Sequence, residues 1–286
     1  MISAKPLDRA ALDQHPLPAV VDGDKDTKGR ILVVAGSRDV PGAALLCAMG
    51  TMRAGAGKLH IATVESVAAQ IGIAMPEAMV TGLPQAADGG FAHGAVAEIA
   101  KLAGEADAIV AGPGVRPNDA CPAMAAALTE ADCALALDVA FLEALQPLDQ
   151  PRVNPPILLP NAKELAALLD CGEGEAKGKP IGCGRRAAEL YRSVVLVKGV
   201  ASHVVTPAGE CWTFEGGAPG LGVSGSGDVL AGIVGGLLAR GAEPLNALLW
   251  AVWLHGQAGA ALARKIGPIG FLAREIADEI PALLPL

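Results

Sequence analysis

The sequence predicts an α/β fold in which helices cover both faces of a mostly parallel sheet. Short, continuously apolar runs alternate with helical patterns, which is typical of strands buried on both faces. Each run ends at a glycine-rich or polar loop, and ligands bind at such strand ends in open parallel sheets. Hydrophobic residues make up 52% of the chain and aromatic residues only 3%, so we expect a core of small aliphatic side chains.

The first predicted strand and helix set a pattern that recurs along the chain. An apolar run from Ile31 to Ala35 stops at Gly36, and a helical pattern then extends from Pro41 to Arg53. No regular element is predicted before residue 28, where the chain is polar and interrupted by proline. Further buried strands are predicted at residues 59–63, 108–111, 134–137, 157–159 and 194–197.

Beyond Lys198 the strands become closely spaced, which predicts an antiparallel edge to the sheet. Residues 202–206 and 210–214 are joined only by the turn Pro207-Ala208-Gly209. No internal repeat or linker follows, so we predict one catalytic domain at residues 26–286 after an N-terminal extension at residues 1–25. Late helices are predicted at residues 228–240, 244–264 and 272–284.

Composition and charge argue against several functions. The net charge is −8, and the longest basic cluster is Arg185-Arg186, so we expect neither nucleic acid nor an anionic membrane as a partner. The N-terminus carries charges where a signal peptide needs an apolar run, and no segment is typical of a membrane span. We therefore predict a cytoplasmic protein. Its six cysteines and five histidines lack metal-ligand spacing and predict reduced thiols without zinc chemistry.

The glycine-dense segment 217–228 is the strongest candidate for a functional motif. It opens an apolar helix, so its backbone N–H groups and the positive helix end can bind an anion. Asp228 falls in the first turn of that helix, where it can accept a proton from a hydroxyl while the amides hold a phosphoryl group. In the alternative interpretation, the glycines only allow close packing and Asp228 only caps the helix.

Several motifs resemble a known family. The segment Gly225-Ser226-Gly227-Asp228-Val229-Leu230-Ala231-Gly232 resembles the signature of ribokinase-like enzymes, which implies a three-layer sandwich. From about residue 25 to the C-terminus, further segments are similar, in order, to the nucleotide-dependent NAD(P)H-hydrate dehydratases. They are Lys28-Gly29-Arg30, residues 33–37, residues 42–46, residues 53–57, Pro76-Glu77-Ala78-Met79, Gly112-Pro113-Gly114 and Leu254-His255-Gly256.

The resemblance implies an enzyme that repairs hydrated NADH or NADPH. ADP, or ATP in some members, phosphorylates the ring hydroxyl, and phosphate is then expelled to restore NAD(P)H. Asp228 is the implied catalytic base. The residues expected to bind the nucleotide are Lys198, Gly199, Val200, Ala201, Ser202, Gly225, Ser226 and Gly227. Those expected to bind the hydrated dinucleotide are Ala43, Gly114, Asn161 and Asp228. Apart from these small molecules we expect only further copies of the chain, as a homo-oligomer.

Asn161 and Glu164 have two interpretations. They resemble the Asn-x-x-Glu of ribokinase-like kinases, which supports Mg²⁺ through water, and oxygen ligands suit that cation. Alternatively, Asn161 is an N-cap and Glu164 completes a capping box, which requires no metal.

The chain departs from the family pattern at three positions. Asn161 stands where the family has a histidine, Ala140 where it has a second aspartate and Val223 where it has a threonine. These changes affect the substrate pocket and the phosphate contacts. They keep two alternatives open: an ATP-dependent kinase of a small hydroxylated metabolite, and a nucleotide-binding protein without catalysis. His255 is interpreted as a packed helix residue outside the site.

Overall fold

The computed structural model describes residues 4–19, 25 and 27–285. Within these residues, ten strands form a single sheet with helices on both faces, which confirms the predicted α/β class. In chain order the strands are β1 (Lys5–Pro6), β2 (Arg30–Val34), β3 (Lys58–Val64), β4 (Ala78–Leu83), β5 (Ala108–Ala111), β6 (Ala134–Leu137), β7 (Ile157–Leu158), β8 (Val194–Val197), β9 (Ser202–Val205) and β10 (Cys211–Phe214).

The helices alternate with the strands as far as β8 and then follow one another. They are α1 (Arg9–Asp13), α2 (Gly42–Arg53), α3 (Glu65–Ala74), α4 (Val96–Ala103), α5 (Cys121–Glu130), α6 (Ala140–Glu143), α7 (Ala162–Leu168), α8 (Glu173–Gly178), α9 (Pro180–Leu190), α10 (Ser226–Ala239), α11 (Pro244–Lys265) and α12 (Ala273–Leu283).

The strand order is β1-β10-β9-β8-β7-β6-β5-β2-β3-β4. All neighbours from β8 to β4 are parallel, whereas β9 is antiparallel to both β8 and β10. The antiparallel edge predicted from the sequence is therefore confirmed. Because the central strands run in one direction, their carboxyl ends meet along one edge of the sheet.

Two parts of the sheet have no counterpart among the sequence predictions. β4 alternates partly exposed residues instead of forming a continuous apolar run. The segment before residue 28, where we predict no element, forms β1, which pairs with β10, and α1, whose Leu12 is buried. The boundary between extension and domain at residue 25 stays a prediction.

The helix pair α2 and α10 packs backbone against backbone on one face of the sheet. A Cβ added at Gly232 would lie 2.0 Å from the Cys47 carbonyl oxygen, and one added at Gly50 would lie 2.4 Å from the Val229 carbonyl oxygen. The Thr51 hydroxyl donates to the Gly232 carbonyl at 3.1 Å across the same contact. Glycine at these positions lets the two helices approach this closely.

No helix in the described residues is long and apolar enough to cross a lipid bilayer. All six cysteines are free thiols, and all but the partly buried Cys171 are buried.

Gly232→Ala should destabilise the fold because the new methyl group collides with the α2 backbone. We expect a loss of about 3 kcal/mol in the free energy of unfolding, measured by urea denaturation. Gly182→Ala is the matched control, since a Cβ there meets only Lys179 Cβ at 3.9 Å in α9. It should be neutral or stabilising by up to about 1 kcal/mol. Equal effects of the two substitutions would contradict the packing argument.

Candidate functional site

The loops that follow β2, β5, β6, β7 and β8 contact one another in a row along the carboxyl edge of the sheet. We call this row of loops the arc. Gly36, after β2, donates its amide to the Pro113 carbonyl at 2.8 Å. In the loop after β5, a Cβ on Gly114 would lie 2.5 Å from Ala43 Cβ, and one on Gly112 would lie 1.9 Å from the Asp138 carbonyl oxygen. The structure thus brings the predicted dinucleotide residues Ala43 and Gly114 into contact, next to the end of β6.

A buried ion pair lies at the centre of this arc. Lys198, at the end of β8, places Nζ 2.8 Å from Asp138 Oδ1, and the two side chains are 21% and 2% exposed. The same Oδ1 accepts the Val139 amide at 3.0 Å, and Val139 adopts a φ of 46°, which is unusual for a β-branched residue. The backbone after β6 therefore wraps around the carboxylate.

Glu164 and Asp228 add two more carboxyl groups around Lys198. Glu164 Oε2 lies 3.9 Å from Lys198 Nζ. A Cβ on Gly227 would lie 3.9 Å from the same Nζ, so the ammonium group is next to the first turn of α10. Burial opposes the positive charge of Lys198, but Asp138 and Glu164 outweigh burial and its pKa is raised. Lys198 therefore stays a cation.

The pKa of Asp228 is raised to about 7, first by burial and then by the charge of Asp138, with Lys198 opposing the shift. Burial also raises the pKa of Glu164. A carboxyl group whose pKa lies near neutrality can accept a proton from a substrate and release it again at the working pH. Among the described residues of this cluster, Asp228 meets this condition, since its pKa lies near neutrality.

Asn161 and Glu164 form the capping box that one interpretation of the sequence describes. Asn161 Oδ1 accepts the amides of Lys163 and Glu164 at 2.9 and 3.0 Å, and Glu164 Oε2 accepts the Asn161 amide at 2.8 Å. No group of three or more His, Cys, Asp or Glu side chains in the described chain is placed to hold a metal ion. Both oxygens are thus engaged in starting α7, and the predicted magnesium role of the pair stays a prediction.

The glycine-dense segment ends in a left-handed turn at Gly225, whose φ is 90°. A Cβ there would lie 2.4 Å from Leu46 Cδ1 on α2, so both backbone conformation and packing require glycine. The Ser226 amide donates to Val223, and no protein acceptor in the described chain faces the amides of Gly227 and Asp228. These two N–H groups, at the positive end of a helix of 14 residues, are available to an anion.

A cavity of about 740 Å³ opens beside this turn. Its volume is within the range of sites for small molecules and cofactors. Phe214 forms part of one wall and packs on Gly256, where a Cβ would lie 2.2 Å from its ring. The cavity is lined by Lys198, Gly199, Val200, Ser202, residues 214–219, Leu221, Gly222, Val223, Ser226, Gly227, Leu230, Val252, His255 and Gly256.

The lining of the cavity contains most of the residues predicted to bind the nucleotide and none of those predicted to bind the dinucleotide. Six of the eight nucleotide residues line it, but Ala201 and Gly225 do not. Ala43, Gly114, Asn161 and Asp228 also lie outside its lining.

Asp138 and His255 have no assigned role in the site predicted from the sequence. The loop with Asp138 is expected to face the same crevice as those with Lys198 and Asp228, but its ion pair with Lys198 spans 60 positions of sequence. His255 lines the cavity and places Nε2 2.9 Å from Ser226 Oγ. The Leu254-His255-Gly256 segment was the only sequence signal for His255, since its partner lies 29 residues earlier.

The three departures from the family pattern also have places in the structure. Asn161 caps α7, as described above, and Ala140 is buried at the start of α6, two residues after the arc residue Asp138. Val223 lines the cavity, and its carbonyl accepts the Ser226 amide at 3.2 Å.

Comparison with solved structures identifies the class to which this fold belongs. A ribokinase-like superfamily protein from Enterococcus faecalis matches with a TM-score of 0.81 at 22% identity and covers 98% of this chain and 95% of that one. This likeness concerns the fold alone, and it confirms the predicted ribokinase-like architecture.

Closer relatives identify the family. A sequence model of the NAD(P)H-hydrate dehydratases matches residues 31–282. The ADP-dependent (S)-NAD(P)H-hydrate dehydratase of Xanthomonas campestris pv. campestris is 45% identical over 96% of this chain and 94% of its own length. The ADP/ATP-dependent NAD(P)H-hydrate dehydratase from Bacillus subtilis, co-crystallized with ATP/Mg²⁺, matches at a TM-score of 0.84 and 29% identity over 99% of this chain and 98% of that one. This chain belongs to the NAD(P)H-hydrate dehydratase family, as its motifs predicted.

Lys198→Met should destabilise the protein strongly because it leaves the buried Asp138 carboxylate without its cation. We expect a loss of about 3–5 kcal/mol in the free energy of unfolding at pH 8. Adding Asp138→Asn should restore most of that loss, since no uncompensated charge then remains. Lys101→Met, which breaks an exposed pair with Glu98, is the control and should change the melting temperature little. Additive losses in the double variant would argue against the ion pair.

The stability of the protein should fall with rising pH because of Asp228. Its pKa is raised to about 7 in the folded state, so its stabilising contribution is complete below the unfolded pKa of about 4 and is lost as the pH rises through 7. Asp228→Asn removes this loss. The unfolding free energy of the variant minus that of the native protein should therefore increase by about 2 kcal/mol between pH 5 and pH 8. A constant difference would show that Asp228 ionises normally.

Proposed function

We propose that this protein uses ADP or ATP to dehydrate hydrated NADH or NADPH and so restores NAD(P)H. The observation that carries the proposal is the Asp228 carboxyl group, whose pKa is about 7, in a helical turn that also offers two unpaired amides. Family membership supports this repair reaction over the kinase and the non-catalytic alternatives.

The proposed reaction takes place in two stages. Asp228 first accepts the proton of the hydroxyl on the hydrated ring while the hydroxyl oxygen bonds to the terminal phosphorus of the nucleotide. The bridging P–O bond breaks, and the nucleotide leaves one phosphate shorter. The ring C–O bond then breaks and its electron pair leaves with phosphate. The departing phosphate takes up the ring proton, and the electrons of that C–H bond restore the ring double bond. Phosphate is a far better leaving group than hydroxide, which is why a nucleotide is consumed.

The nucleotide is proposed to occupy the 740 Å³ cavity, with its terminal phosphate at the amides of Gly227 and Asp228. Those amides stabilise the charge on the phosphoryl group during transfer. Lys198 lies on the boundary of the cavity and next to Asp138, so its ammonium group faces the same region. Gly199 and Val200, both exposed, and the partly exposed Ser202 also line the cavity.

The hydrated dinucleotide is proposed to lie along the arc on the other side of Asp228, against Ala43 and Gly114. Their contact leaves room for neither a larger residue at Gly114 nor a long side chain at Ala43. A flat wall of small residues allows a ring to approach the carboxylate closely. Asn161, at the end of β7, lies on the same arc through its bridge to Lys198.

Magnesium is proposed to enter with the nucleotide. The carboxyl groups of Asp138, Glu164 and Asp228 have the oxygen chemistry that Mg²⁺ prefers, but the Lys198 ammonium group lies 2.8 and 3.9 Å from two of them. Glu164 would therefore support the ion through water. The ion would neutralise phosphate charge.

We propose that the protein works in the cytoplasm, that it forms a homo-oligomer as the resemblance to the ribokinase-like fold implies, and that neither nucleic acid nor membrane is a partner. The net charge of −8 and the absence of any long basic cluster in the sequence support the last part of this proposal.

Hydrated NADH incubated with Mg²⁺ and either ADP or ATP should regain dihydronicotinamide absorbance only when both protein and nucleotide are present. Below pH 7, kcat/KM should rise about tenfold per pH unit and then level off, because the pKa of Asp228 is about 7. Asp228→Asn should lower kcat about 10³-fold.

Glu77→Gln, an exposed change away from the arc, serves as the control and should keep full activity. A stable phosphate ester without recovery of absorbance would support the metabolite kinase instead. Nucleotide binding with neither product would support the non-catalytic alternative.

A further inference from the structure

His255, on α11, contacts the start of α10 with a partly buried imidazole that the proposed reaction does not use. It projects from α11 into the cavity wall, where its Nε2 lies 3.1 Å from the Ser226 carbonyl oxygen and 2.9 Å from Ser226 Oγ. Burial is the main cause that lowers its pKa to about 4, and the charge of Lys198 acts in the same direction. The ring is therefore neutral at working pH and is not an acid–base catalyst.

The two contacts define which nitrogen carries the proton. A carbonyl oxygen can only accept a hydrogen bond, so the contact with the Ser226 carbonyl is a hydrogen bond only when His255 Nε2 carries the proton. The same N–H also points to Ser226 Oγ, which must then accept as well. The Ser226 hydroxyl proton is consequently directed away from the imidazole.

Ser226 lies at the cavity, where its hydroxyl proton can reach a bound ligand. Its side chain is only 5% exposed, yet it lines the cavity beside Gly227. Among the described residues, His255 is the one hydrogen-bond partner of this hydroxyl, which contacts neither a protein oxygen nor a backbone amide.

We propose that His255 is a positioning residue that orients the Ser226 hydroxyl as a hydrogen-bond donor to the terminal phosphate of the bound nucleotide. The inference rests on the proposed nucleotide site. In this arrangement the phosphate receives the Ser226 O–H in addition to the amides of Gly227 and Asp228. The hydroxyl is oriented before the ligand arrives, which reduces the entropic cost of binding.

ADP binding to the purified protein, measured by calorimetry, tests the inference without turnover. His255→Leu should weaken binding about tenfold, as expected for a lost hydrogen bond to a charged group, and Ser226→Ala should do the same. The double variant should bind about as weakly as either single variant, because both changes remove the same donor. His255→Gln is the conservative variant and should stay within about twofold of the native protein, since its Nε2 amide can still donate.

Two further readouts separate positioning from a purely structural role. In the steady state, His255→Leu should raise KM for ADP while KM for the hydrated dinucleotide stays unchanged. In ¹⁵N-histidine spectra of the native protein, His255 should be protonated at Nε2 and not at Nδ1. Unchanged ADP affinity in a folded His255→Leu variant, additive losses in the double variant, or a proton on Nδ1 would each overturn the inference.

The inference and the proposed function can fail separately. A native protein that binds ADP but does not repair hydrated NADH would remove the proposed reaction and leave the His255 test valid. A native protein that repairs the hydrate, with His255→Leu binding ADP normally, would remove only the role of His255. Absence of ADP binding in the native protein would overturn the nucleotide site and the inference together.

Discussion

The close approach of α2 and α10 is the constraint on which the site depends. Glycines on both helices bring their backbones into contact, and the first turns of both helices then lie at the carboxyl edge of the sheet. α2 thereby supplies Ala43 and the Leu46 side chain that packs on Gly225, while α10 supplies the unpaired amides and Asp228. A larger residue in the contact would separate Ala43 on α2 from Asp228 on α10.

The two aspartates near Lys198 share its positive charge unequally. Asp138 forms the close ion pair, so its charge and that of Lys198 largely compensate each other. Asp228 shares the same cation at longer range and remains partly desolvated, which raises its pKa to about 7. The ion pair thus engages one aspartate and leaves the other without a close cation, with a pKa of about 7. Two carboxyl groups of the same type therefore have different surroundings.

The sequence predicted the elements whose signal is local. β5, β6 and β8 have the bounds that their apolar runs predicted, because strands buried on both faces leave a continuous hydrophobic trace. β4 was missed because an edge strand is partly exposed and lacks that trace. β1 was missed because its pairing with β10 depends on residues far along the chain.

Residues of the candidate site could likewise be predicted only where their sequence signal is local. Loop residues such as Lys198 and Gly227 could be named because each follows a strand or opens a helix. The Asp138–Lys198 and Ser226–His255 contacts could not, since each joins separate elements across 60 and 29 positions. The roles assigned to these residues stay predictions.

The pairing of β1 with β10 has a consequence for how the chain is made. Lys5 contacts Glu210, 205 positions later, so at about 5–20 residues per second the ribosome adds the partner of β1 some 10–40 s after β1 itself. Until then, β1 has no strand to join. It therefore docks only after β10 has emerged, and it then covers the open edge of β10, which would otherwise remain available for pairing with other chains.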